Sequence, residues 1–289
     1  MKKSNVAPWL TVAVLLFLNL STWAQGNFGG LSLYTVRTDM GKDAIGTLKK
    51  VSEAGYKFIE AADYKNGTFY GMKPEEFKKA LQEIGLTPLS AHMGSATLDN
   101  IDQQIADTKA AGFQYFVAPV PPMGMFKYNP ETKSLSMTDD VAYLTSVLKT
   151  MGEKCKAAGL TFLYHNHGFE FEKNKAGIVP IEYMLENLDP SVVNFQMDLY
   201  WVTKAGADPL AYFDKYPKRF PIWHLKDMDS QGRFAPVGTG SIDFAKIQKQ
   251  AKKAGMRYYL VEQDQTFDGL QPLDAMKISH ASLKKFGFK

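Results

Sequence analysis

Short apolar runs alternate with longer amphipathic segments along most of this chain. The runs fall at 31–35, 56–60, 87–92, 114–118, 160–164, 192–197, 221–225 and 258–261. They are short and carry many β-branched and aromatic residues, which predicts buried strands. Between them a 3.6-residue period predicts helices over 42–54, 73–84, 100–111, 140–157, 178–187, 209–216, 242–254 and 273–286. Pro74 stands in the first turn of the second helix and Gly85 closes it. Ala-Gly ends a helix before a strand at Ala54-Gly55, Ala111-Gly112, Ala158-Gly159 and Ala254-Gly255, as one repeated supersecondary unit would. Eight strands alternating with helices predict an α/β fold, a closed (β/α)8 TIM barrel in a single domain. A doubly wound open sheet is the alternative, but it usually has fewer strands. No Gly-x-Gly-x-x-Gly follows the first strand, and Gly238-Thr239-Gly240 is too short a signal to imply a nucleotide.

The rhythm breaks in two places. Residues 119–139 form a long connection rich in Pro, Gly and Met, the kind of loop that often serves as a lid or binding loop. It is expected to lie over the barrel mouth, with Met123, Met125, Phe126 and Tyr128 excluding water. The other break is the N terminus. Lys2 and Lys3 precede an apolar stretch from Pro8 to Leu20, and Thr22-Trp23-Ala24 ends in a signal-peptidase pattern. This predicts a signal peptide over 1–24, secretion across the inner membrane to the periplasm, and a mature domain over 25–289. The apolar stretch is short for the ~20 residues that span a bilayer, so no stable membrane insertion is expected. The segment has no Cys, hence no lipoprotein-type lipidation site. The single Cys, Cys155, permits no intramolecular disulfide. A net charge of +4 with no basic block gives no reason to expect nucleic acid as a partner.

Chemistry collects where the strands end. Glu60, His92, His165, His167, Asp198, His224 and Glu262 all stand at or just past the end of an apolar run. In a closed parallel barrel those ends form the functional face. Four of the five histidines fall there, and His280, in the last helix, reads as packing or surface. The densest stretch is Tyr164-His165-Asn166-His167-Gly168-Phe169-Glu170, with two imidazoles, an amide and a carboxylate in six residues. One histidine capping a helix and the other satisfied in the core is the plain alternative. Asp198 and Glu262 follow buried strands, where a carboxylate is costly unless it meets a cation or donors. Lys226, Lys204 or backbone amides would serve as structural partners. Asp, His and Glu on adjacent strands fit one divalent metal ion better. A mixed carboxylate and imidazole set suits Mn, Zn, Co or Fe rather than Ca.

Several segments together resemble the sugar phosphate isomerase/epimerase superfamily, the xylose isomerase-like barrels. They are Leu31-Ser-Leu-Tyr-Thr-Val-Arg37, Ala54-Gly-Tyr-Lys-Phe-Ile-Glu60, Tyr164-His-Asn-His-Gly-Phe-Glu-Phe171, Met197-Asp-Leu-Tyr-Trp201, His224-Leu-Lys-Asp227, Val237-Gly-Thr-Gly-Ser-Ile-Asp-Phe244 and Val261-Glu262. The resemblance implies one divalent metal, held by carboxylates on strands five, six and eight and a histidine on strand seven. Asp198, His224 and Glu262 match three of those positions. At the fourth, His165 replaces the usual Glu, leaving Glu170 reaching back or His165 itself as the fourth ligand. Trp201 stands where the family commonly has His, and is expected to stack on a sugar ring.

The resemblance therefore implies catalytic roles for His165, His167, Glu262 and Glu170. The metal ligands are expected to be Glu170, Asp198, His224 and Glu262, and the substrate contacts Tyr34, Glu60, His92, Trp201 and Lys226. The expected reaction is sugar isomerisation or epimerisation through proton removal beside a carbonyl, on an unphosphorylated small-molecule carbohydrate. The Tyr-His-x-His run also resembles the inosose dehydratase branch, so β-elimination from a keto-sugar by a lyase is the alternative. A non-catalytic carbohydrate-binding barrel is the third, using Trp201, Tyr34 and Tyr200 as stacking platforms.

Overall fold

A computed structural model describes residues 28–132 and 134–288. The segment read as a signal peptide lies outside the described residues. Eight parallel strands close into one barrel: β1 (Phe28–Ser32), β2 (Phe58–Ala61), β3 (Thr87–His92), β4 (Tyr115–Ala118), β5 (Thr161–His165), β6 (Val193–Asp198), β7 (Ile222–Leu225) and β8 (Tyr258–Val261). They are hydrogen-bonded in sequence order, and β8 closes against β1. Helices cover the outside, the longest being Val141–Ala157, whose Asp140 side chain accepts the Tyr143 N–H at its N-terminus. No described helix is long and apolar enough to cross a membrane.

The strand pattern is close to the sequence expectation, with one clear shift. The first strand occupies Phe28–Ser32, and Leu33–Val36 turn into a 3-10 helix rather than continuing it. Two glycines make this strand, although glycine is a poor strand former. A Cβ on Gly29 would lie 2.3 Å from the Tyr259 hydroxyl, and one on Gly30 would lie 2.6 Å from the Phe58 carbonyl oxygen. Close approach of β8 and β2 therefore demands glycine where propensity argues against a strand. The expected helix over 242–254 is split into Phe244–Gln248 and Ala251–Ala254 by a tighter turn in which Gln250 N–H reaches Ile247 O. A short helix, Leu199–Lys204, also starts directly after β6.

The long connection is not structureless. It folds into an antiparallel hairpin of Phe126–Asn129 and Ser134–Met137, with Phe126 against Phe169 at 5.9 Å between ring centres. Met125 is buried, but Met123 points to solvent and does not close the mouth.

Candidate active site

Alternate residues of each strand point inward. Leu163, Ile222 and Leu260 fill the barrel interior together with Leu89, Tyr115 and Val117. Two residues further along three of these strands, the same parity brings His165, His224 and Glu262 to the layer above. Asp198, ending β6, joins them. One ligand atom from each of His165, Asp198, His224 and Glu262 lies within 4.8 Å of the other three, and all four residues are buried.

Two cationic side chains, Lys226 and His224, stand among the carboxylates of this group. Lys226 Nζ lies 3.0 Å from Asp198 Oδ2, 2.7 Å from Glu262 Oε2 and 2.7 Å from Asp264 Oδ1. Burial alone would lower the ammonium pKa, but these three carboxylates outweigh it and hold Lys226 charged. His224 sits between two carboxylates, with Nε2 2.8 Å from Glu60 Oε1 and Nδ1 3.1 Å from Glu262 Oε2. Burial opposes its charge as well, yet Glu60 and Glu262 raise its pKa to about 10. Glu262 also accepts a hydrogen bond from Ser32 Oγ at 2.9 Å.

The donor set fits a divalent ion. Two imidazoles and two carboxylates converge, which is the composition of transition-metal sites. Asp198 Oδ1 accepts the Trp201 N–H, whereas Asp198 Oδ2 is buried, with Lys226 Nζ at 3.0 Å and His165 Nε2 at 3.8 Å. Burial outweighs Lys226 and raises the Asp198 pKa. Such an oxygen gains from a cation. Asn166 Oδ1 accepts the Asp198 N–H at 3.0 Å and fixes where β6 hands over to its helix.

Glu170 is not part of this group. Expected as a metal ligand and acid/base residue, it is fully buried with both oxygens engaged: Oε1 accepts from Tyr164 Oη at 2.7 Å and Oε2 from the His167 N–H at 2.8 Å. His165 takes the place beside Asp198 instead. Glu60, expected at the substrate, lies beneath it. Its Oε2 accepts from Ser90 Oγ and Gln196 Nε2, and its Oε1 lies 3.0 Å from His92 Nε2 besides its contact with His224. His280 packs edge-on against Tyr56, far in the fold from these residues.

Above the cluster opens a cavity of about 360 Å3. Tyr34, His92, His165, His167, Trp201, Lys226 and Glu262, all named from the sequence, line it. Phe126 and Leu135 of the hairpin line it too, which places the long connection over the mouth on the His165 side. His167 Nδ1 is buried without a hydrogen-bond partner among the described residues. Its ring stacks on Phe169 at 5.5 Å and leans on Trp201 at 5.4 Å. Burial, with help from the Lys226 charge, pulls the His167 pKa down to about 3, so the ring is neutral.

Sequence reading missed Gln196 and Asp264, and gave Asn166, the amide of the dense stretch, no role of its own. Gln196 was within reach: an amide inside an apolar strand, two residues before Asp198, shares its inward parity. Asp264 lies past the end of β8 in a loop, where no period applies.

Comparison with known proteins agrees with this architecture. The chain belongs to the xylose isomerase-like TIM barrel family, whose profile matches residues 48–286. A sugar phosphate isomerase/epimerase from Parabacteroides distasonis ATCC 8503 superposes with a TM-score of 0.76 at 26% identity, over 91% of this chain and 100% of that one. The inosose dehydratase of Lacticaseibacillus casei is 25% identical over 147 residues, 44% of this chain. That match spans 48% of the dehydratase, about half its length. An IolI protein with a bound zinc atom shares the fold, with a TM-score of 0.68 at 13% identity over 91% of this chain and 99% of that one.

Proposed function

We propose that this protein is a metal-dependent lyase acting on an unphosphorylated keto-sugar. It removes the proton next to the ketone and expels the oxygen substituent on the following carbon. A 3-keto-glycoside is the natural example: the proton leaves C2 and the aglycone oxygen leaves C1. The observation that carries this reading is the division of labour at β5. Glu170, the carboxylate available for a two-carboxylate exchange between sugar faces, is spent on Tyr164 and the His167 backbone. The imidazole lining the cavity beside it is His167, which is neutral and whose buried Nδ1 has no partner among the described residues. The partial likeness to inosose dehydratase supports the same class.

His165, Asp198, His224 and Glu262 would hold the divalent ion, which when bound supplies Lewis-acid polarisation of the ketone. His167 takes the α-proton as the C–H pair becomes the new double bond and the C–O pair leaves with the alkoxide. The same imidazole then gives that proton to the departing oxygen. The products are a conjugated enone and a free alcohol, and His167 returns to its neutral state with no co-reactant. Lys226 also lines the cavity, but its three donors are taken by Asp198, Glu262 and Asp264, so it sets the charge at the cavity floor rather than gripping substrate oxygens. Tyr34, His92 and Trp201 orient the ring. The predicted signal peptide over 1–24 would place this enzyme in the periplasm, where unphosphorylated sugars are met, and the mass of the mature N terminus tests that.

A second reading, isomerase or epimerase, draws on the Parabacteroides relative and on Glu262, a carboxylate that does line the cavity. Incubation in D2O with keto-sugars and 3-keto-glycosides, followed by NMR, separates the two. Enone and released alcohol are expected. A deuterated, rearranged sugar with its substituent retained would establish the isomerase instead.

A further inference from the structure

The cavity over the metal-type cluster does not end at the hairpin. A second chamber of about 760 Å3 continues outward. The two share Tyr34, Phe126, Leu135, Trp201 and Asp264 in their walls, so they form one space with a waist. The inner chamber is at the small end of ligand sites, which run about 300–1,000 Å3. A single sugar ring over the cluster leaves the outer chamber empty.

The outer chamber is built for a flat, uncharged guest. Tyr128, 56% exposed on the hairpin, faces Phe169, Trp201 and Phe234 across it. Aromatic faces of this kind stack on rings. Its two cations, Arg37 and Lys204, share the wall with two carboxylates, Glu172 and Asp264, so the chamber has no excess of positive charge. Arg37 also lies 4.2 Å over the Tyr34 ring. A phosphate would bring a net negative charge that this balance does not favour. Trp201, in the wall of both chambers, has a buried Nε1 donor with no acceptor among the described residues.

The waist coincides with His167. Its ring lines the inner chamber and stacks on Phe169, which lines only the outer one. A bond joining a ring inside to a ring outside therefore passes beside His167.

We propose that the outer chamber is a leaving-group subsite. It takes an uncharged second ring, sugar or aryl, so the substrate is a two-ring keto-glycoside rather than a keto-monosaccharide. This rests on the lyase reading above. The reaction is the same balanced elimination, with the outer ring released as its free alcohol.

The test uses the mature protein loaded with Mn2+ and the methyl, phenyl and glucosyl 3-keto-glucosides. The ring aglycones should exceed methyl in kcat/KM by about 2- to 10-fold, the scale of one stacked ring. Tyr128→Ala and Phe234→Ala should each lower that ratio, and sugar and aryl preferences are read separately. Saturation-transfer NMR with phenyl β-glucoside on metal-free protein gives a readout independent of turnover. Phenyl protons should receive transfer in the parent protein and lose it in Phe234→Ala. Elimination at equal kcat/KM for all three aglycones overturns the subsite and leaves the lyase intact. Absence of elimination from every ketone overturns the lyase reading, and with it the outer chamber's role as a leaving-group site, even where phenyl transfer persists.

Discussion

Gln196 Oε1 lies 2.9 Å from His165 Nδ1. The other end of the amide settles what this contact means. Gln196 Nε2 donates to Glu60 Oε2 at 2.6 Å, and a carboxylate only accepts, so the carbonyl end must face the histidines. The same oxygen lies 2.8 Å from His92 Nε2. Both ring nitrogens therefore carry their protons toward Gln196. Burial, reinforced by the neighbouring His224, keeps His165 neutral, so its Nε2 is left as a lone pair on the Asp198 side, 3.8 Å from Oδ2. One amide sets the tautomer that lets His165 act as a ligand.

Replacing Gln196 by Met keeps the volume and removes that control. Divalent-ion affinity, read by competition with a fluorescent chelator, should fall about 10- to 100-fold, the usual effect of losing such an outer contact. The protein should stay folded with about 1–3 kcal/mol less stability, because Glu60 and two histidines lose a partner. Unchanged affinity together with unchanged imidazole 15N shifts would show that Gln196 does not set the tautomer.

His224 gives a coarser test. It stands between Glu60 and Glu262 and is the only histidine of the cluster touching both carboxylates. His224→Ala should reduce bound metal, measured by elemental analysis after dialysis, from about one ion per chain to nearly none, since each ligand of a structural set contributes strongly. Far-UV circular dichroism should be retained. A variant that keeps its ion with parent affinity rules His224 out as a ligand.

These residues show which parts of the molecule were legible beforehand. Short apolar runs located seven of the strands closely, and their ends pointed to His92, His165, Asp198, His224 and Glu262 because a buried run ends visibly where polar side chains begin. β1 was displaced because Gly29 and Gly30 are there to admit Tyr259 and Phe58, a tertiary demand that local propensity cannot express. Glu170 was assigned to the ion because a carboxylate five residues past a strand is within reach. Whether it reaches forward or back to Tyr164 is decided by side-chain packing. The same holds for Glu60, which looks like a mouth residue in sequence but supports the histidines from below.

The Gly238-Thr239-Gly240 turn owes its glycines to the fold. The Asp227 carboxylate accepts four backbone N–H groups, from Met228, Gly238, Gly240 and Ile242, at 2.8–3.1 Å. The turn thus wraps a carboxylate of its own chain. A Cβ on Gly240 would lie 2.3 Å from Asp227 Oδ1 and 2.4 Å from Met228 O. Gly240→Ala should destabilise the protein by about 1–3 kcal/mol, as overpacking against fixed groups does. Denaturant midpoints would read this directly, and a midpoint within error of the parent would mean the turn yields without cost.

Glu170 makes the sharpest prediction, because its structural and catalytic readings diverge. Burial raises its pKa from an ordinary 4.5 to about 8, against the lowering effect of the Tyr164 hydrogen bond. Between those values the folded chain holds a proton at Glu170 that the unfolded chain has released. The folded state then binds more protons, so stability falls as pH rises through this window and levels off above about 8. At about 1.4 kcal/mol per pH unit the full loss is a few kcal/mol. Glu170→Gln removes the titration while leaving an oxygen to accept the His167 N–H. In metal-free protein the variant should match the parent near pH 4.5 and exceed it by a few kcal/mol near pH 8.5, measured by urea unfolding at each pH. Turnover discriminates further. A residue that only holds the His167 backbone tolerates the amide with a modest change in rate. One that moves protons in the reaction loses about 10²- to 10⁴-fold. A stability curve parallel to the parent, combined with that loss of rate, would return Glu170 to the chemistry. It would also restore the two-carboxylate exchange that its hydrogen bonds to Tyr164 and His167 argue against.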